Sequence, residues 1–152
     1  MTTPVYTYLQ LIAEVLEEIR TANGYQTDMG AHVVLEPEQQ QADDGQRLVV
    51  LQTTYGKPTQ AGLERTHRAV GFHVIAQVPR ARTDGQLRLH KAQADVDACL
   101  SDKDMLRDKF QLGSPATGKP FPQLDDSVMA SQVEGVDWVG VALRYTAVLR
   151  IS

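Results

Sequence analysis

The chain reads as an α+β domain: a mainly antiparallel β-sheet with two α-helices packed on it. Three observations predict this. Apolar residues recur at helical spacing over residues 5–19. They alternate with period two over residues 70–78. Short connections between β-like segments favour antiparallel neighbours. The 152 residues fit one domain, 1–152, because domains typically hold roughly 100–200 residues. With 42% hydrophobic and 22% charged residues, the composition is that of a globular protein and excludes wholesale disorder.

Each element has a local reason. Thr3 is a helix cap and Pro4 suits the first helical position. Val5, Tyr8, Leu9, Ile12, Val15, Leu16 and Ile19 share a stripe opposite Glu14, Glu17, Glu18 and Arg20. Asn23-Gly24 is a stop signal, so a helix is expected from Pro4 to Ala22. A short strand over His32–Glu36 follows. The stretch EPEQQQADDGQ after it carries four carboxylates and no base, which predicts an exposed acidic loop. A second strand, Arg47–Thr54, completes an expected long hairpin. A weakly basic loop leads to the third strand, where Val70, Phe72, Val74, Ala76 and Val78 alternate with Gly71, His73, Ile75 and Gln77. The second helix is expected over Leu87–Leu100, with Leu89, Ala92, Val96, Cys99 and Leu100 on its stripe and Asp95 and Asp97 off it. Ser101–Asp126, rich in Pro, Gly and charge, predicts irregular structure with one helical turn around Met105–Phe110. Strands over Val128–Val136 and Trp138–Ile151 end the chain. The last places Val139, Val141, Leu143, Tyr145, Ala147, Leu149 and Ile151 on one face.

The chemistry legible in the residues is mostly negative. A net charge of −4 argues against general affinity for nucleic acid. The lone Cys99 excludes an internal disulfide framework and a multi-cysteine zinc site. The start, MTTPVYTYLQ, has neither the basic residues nor the apolar run of a signal peptide, which sets the expectation of a protein made in the cytoplasm. Gly113–Lys119 fits the first seven positions of the phosphate loop G-x-x-x-x-G-K-[ST]. Pro120 stands where the magnesium-binding hydroxyl belongs, and PFPQLDD opposes the helix that should follow. His32, His67, His73 and His90 lack the spacing of a helical zinc motif. The carboxylates lie in loops with no apolar wall to raise a pKa. Arg65, His67, Arg68, Arg80 and Arg82 bracket the third strand without the interleaved aromatic residues of a nucleic-acid platform. No catalytic residue, cofactor or metal is expected.

Several segments in order carry a family resemblance. They are YLQLIAEVLEEIRTANGY, the pattern T-D-x-G-x-x-V at Thr27–Val33, the block RAVGFHVIAQVP leading to LRLHKAQADVDACL, and the β-rich end ALRYTAVLRI. This succession resembles the tail terminator (tail-completion, minor tail) proteins of long-tailed bacteriophages. The resemblance implies a non-enzymatic structural protein of the virion. It would be a homo-oligomeric ring, usually a hexamer, that caps the tail tube, stops its polymerisation and offers a face to the head–tail connector. DNA would pass without specific binding, and no membrane is involved. Glu36, Glu38, Asp43 and Asp44 are then expected to face the lumen or the next subunit. Arg65, Arg68, Arg80 and Arg82 are expected at subunit contacts. A tail-tube or neck protein, and a small phosphate-binding enzyme using Gly113–Lys119, are the alternatives.

Overall fold

In the computed structural model, helix α1 (Pro4–Leu16) opens the fold. The Thr3 side chain accepts from the Tyr6 N–H at 3.2 Å, satisfying one of the amides that a helix start leaves unpaired. The structure describes residues 3–35, 45–80, 84–114, 118–125, 130–135 and 137–151. The helix ends six residues earlier than expected. The cause is the backbone of Gly30, which lies beneath its last turn. The Gly30 N–H donates to the Ile19 carbonyl at 2.9 Å. A β-carbon there would stand 2.6–2.8 Å from the carbonyl oxygens of Leu16, Ile19 and Glu17. Carbonyls that would have continued the helix turn to this loop instead.

The sheet contains six strands: β1 (Val33–Val34), β2 (Arg47–Gly56), β3 (His67–Pro79), β4 (Gln123–Leu124), β5 (Ala130–Glu134) and β6 (Trp138–Arg150). Their order is β1-β2-β3-β6, with β4 and β5 end to end along the outer edge of β6. All pairs but one are antiparallel. The exception corrects the expected first hairpin, because β1 runs parallel to β2, aligning Val33 with Leu48 and Val34 with Val49. The Leu48 N–H donates back to His32, so β1 enters the sheet beside β2 rather than folding over it.

Helix α2 (Gly85–Ser101) and a third helix, α3 (Lys103–Phe110), complete the fold. The expected irregular stretch therefore holds a two-turn helix. The Asp102 side chain caps it by accepting from the Met105 N–H at 3.2 Å. The helices cover one face of the sheet. Val70, Phe72, Val74, Ala76 and Val78 of β3, and Val141, Leu143, Tyr145, Ala147 and Leu149 of β6, are buried against α1 and α2. At the centre, Phe72 stacks on Tyr145 with centroids 5.7 Å apart and meets Tyr8 edge-on at 6.3 Å. Such ring pairs add about 0.5–1.5 kcal/mol beyond the area they bury. The opposite face, carrying Val49, Leu51, His73, Ile75, Ala142 and Arg144, has no helix over it among the described residues.

Asp95 departs from the expected pattern. It is only 3% exposed. Its two oxygens accept from the Gln26 N–H at 3.0 Å, the Thr27 N–H at 2.8 Å and the Thr27 hydroxyl at 2.7 Å. A carboxylate so supplied with donors can be buried at tolerable cost. Asp28 accepts from both the N–H and the hydroxyl of Thr21. The T-D-x-G pattern is thus a structural clasp joining α1, the following loop and α2.

Candidate functional site

The phosphate-loop look-alike has the wrong neighbours. A phosphate loop runs from a strand into a helix, whereas Gly113–Lys119 leaves α3 and enters β4. The loop closes on itself, because the Gly113 N–H donates to the Lys119 carbonyl at 2.8 Å and Ser114 bridges Lys119. Gly113 has φ 82°, and a β-carbon there would overlap the Phe121 ring at 2.4 Å. The Tyr8 hydroxyl, from α1, donates to the Pro120 carbonyl at 2.8 Å and pins the exit. An open cavity of about 330 Å³ lies beside Ser114, Lys119, Phe121 and Val148. Residues 115–117 lie outside the described part.

The other chemically capable groups are dispersed. Among the described residues no three His, Cys, Asp or Glu side chains gather to hold a metal. His73 lies on the uncovered sheet face, where burial, and then Arg144 opposite, hold its pKa below the ordinary value. Cys99 is buried and donates from Sγ to the Val15 carbonyl at 3.4 Å. Burial, the largest cause, pushes its thiol pKa up to about 12, so the thiolate needed for nucleophilic chemistry is scarce. No described helix is long and apolar enough to cross a membrane.

The expected contact residues fare unequally. Glu36, Glu38, Asp43, Asp44 and Arg82 lie outside the described residues. Arg65 is exposed. Arg68 donates to the carbonyls of Glu64 and His67 in its own loop, both at 2.7 Å. Arg80 donates to the Gly135 carbonyl at 3.0 Å and pairs with Glu134 at 3.5 Å, within the subunit.

Two surface features escaped the sequence reading. The first is an arm. Leu51–Gly56 of β2 are all exposed, Leu51 on the helix-free face beside His73 and Tyr55 on the helical face beside Val70, where it borders a cavity with Thr3–Val5 at the start of α1. The segment's partner is the start of β3, and residues 57–66 close the tip. Leu51 and Tyr55 are 41% and 55% exposed, and LQTTYG contains no charge. The signal lay in the sequence: apolar character fades after Leu51 while strand-forming Thr and Tyr persist. The second is a groove of about 400 Å³ between α1 and the edge strand β1, walled by Tyr6, Ala13, Glu14, Glu17 and Val33–Leu35. It depends on β1 being an edge strand beside α1, which local periodicity does not encode. Compared with known proteins, no family model and no curated protein matches this chain.

Proposed function

We propose that this chain is a structural assembly protein of a long-tailed phage, forming a ring that caps the tail tube, ends its polymerisation and serves head–tail joining. The observation that carries the reading is the arm. It is an uncharged edge-strand segment, solvent-exposed over six residues, that presents Leu51 and Tyr55. Exposed edge strands are normally guarded by charge, Pro or covering structure. An unguarded one belongs to a protein whose neighbours cover it. Joined heterologously, such edges close into a ring when the rotation between copies permits. Buried in such contacts, Leu51 and Tyr55 contribute about 1 kcal/mol each, given that full burial of a large apolar side chain is worth roughly 1.5–3 kcal/mol. A net charge of −4 repels DNA passing through such a ring.

The test is the native mass, joined to electron microscopy of a phage lacking the gene. Closed rings of one size, with overlong tails that fail to join heads in the deletion, are the expected result. Open-ended stacks of the purified protein would instead favour the tail-tube reading. A monomer at all concentrations would reject assembly.

A further inference from the structure

The tip of the arm and the groove beside α1 carry opposite charge, and among the described residues neither is neutralised within the subunit. The groove presents Glu14 and Glu17 with no basic residue among the described residues of its lining. Residues 36–44, directly after the groove residue Leu35, add four more carboxylates and no base to the sequence. The tip presents Lys57 and Arg65 against the single acid Glu64, with Arg68 just behind it at the start of β3. Glu14, Glu17, Lys57 and Arg65 are all exposed, and among the described residues none has an ion-pair partner. By contrast Glu18, one residue along from Glu17, is paired with Lys109.

The apolar surfaces follow the same division. Tyr6 is 36% exposed at the groove, beside the half-buried Val33, Val34 and Leu35. Leu63 is half-buried at the tip. Among the described residues no strand pairs with the outer edge of β1, whose backbone bonds run to β2.

We propose that the arm tip of one copy docks in the α1–β1 groove of the next, with Lys57 and Arg65 against Glu14 and Glu17. This deepens the ring reading and rests on it, because it names the two unlike surfaces that a heterologous contact requires. Tip and groove belong to different segments, so each copy can give its tip to one neighbour and receive a tip from the other. Electrostatic matching of this kind fixes register and suppresses wrong contacts more than it adds affinity.

A charge-swap series tests it. In the full-length protein, Glu14→Lys with Glu17→Lys should raise the concentration for half-assembly about tenfold, and Lys57→Glu with Arg65→Glu should do the same. Combining all four should restore assembly. Thermal melts of the variants check folding. A cross-link makes the test independent of the swaps, and the buried Cys99 leaves a quiet background. An equimolar mixture of Glu17→Cys and Arg65→Cys chains should form a disulfide-linked pair of the two. The single chain carrying both changes should form a ladder up to ring size. If the wild-type protein assembles but ignores both charge reversals, and no mixed disulfide forms, the docking inference is overturned while the ring reading stands. If the wild-type protein is monomeric throughout, the ring reading fails and takes the inference with it. A ladder that stops at two copies overturns the one-way exchange.

Discussion

Gly30 shows how strictly a single position can be set. Three carbonyl oxygens crowd the place of its missing β-carbon at 2.6–2.8 Å, and all three belong to backbone that cannot swing aside as a side chain would. Gly30→Ala must therefore push the loop off the end of α1. It should cost about 3 kcal/mol, the upper range for overpacking, as urea unfolding would measure. The neighbouring Asp28 carboxyl is held below its ordinary pKa, chiefly by the Thr21 N–H and then by the Thr21 hydroxyl. Its contribution to stability is therefore present above the ordinary carboxylate pKa and is lost as pH falls through the lower, folded value. Asp95, which the helical stripe placed outside the core, is the residue that local reasoning most misjudged. Its donors come from 68 and 69 residues away, and no window along the sequence contains them. Cys99 was legible, because it falls on the apolar stripe of α2. With its thiol pKa near 12 and its sulfur buried, it should react with an aromatic disulfide reagent at neutral pH only at the rate of unfolding. Rapid labelling of the folded protein would contradict its placement in the core.

Elements that span several periods were readable, and short ones were not. β3 and β6 run 13 residues each, long enough for alternation to fix both the strand and its buried face. α1 and α2 likewise showed their stripes, although the end of α1 depended on Gly30 arriving from a later loop. By contrast α3 has eight residues and buries only Leu106, so its pattern completes barely two turns. β1 and β4 have two residues each and exist only because β2 and β6 lie beside them. The direction of β1 was misread for the same reason: parallel and antiparallel neighbours look alike until the chain between them is placed. What holds α3 is local. The Asp102 cap accepts from Met105, and Asp104 pairs with Arg107 at 2.7 Å. The exposed pair is worth little, whereas a lost cap typically costs about 1 kcal/mol. Asp102→Ala should lower stability by about that amount and raise amide exchange across Lys103–Phe110 while leaving α1 protected. Unchanged exchange would show that tertiary packing of Leu106, rather than the cap, holds the helix.

Across the whole molecule, the buried core and the exposed apolar edge occupy different parts of one sheet. The lower half of β2 lies beneath α1 and contributes Leu48 and Val50 to the core. The upper half, beyond Val50, contributes nothing to it. This division makes the arm testable without disturbing the fold. Leu51→Lys together with Tyr55→Lys places charge on exposed positions, where substitutions usually change stability by less than about 0.5 kcal/mol, so the melting temperature of the subunit should hardly move. The same two lysines guard the strand as natural exposed strands are guarded and force unpaired charge into any apolar contact that buries Leu51 and Tyr55, which is costly. On the ring reading proposed above, association should therefore be lost while the fold persists, and native mass spectrometry would report subunits in place of rings. If the proposed function holds, the variant supplied to a terminator-deficient phage should leave overlong tails without heads, whereas the wild-type chain should restore normal length and joining. Full rescue by the lysine variant would show that the arm takes no part in assembly and would remove the observation on which the structural reading stands.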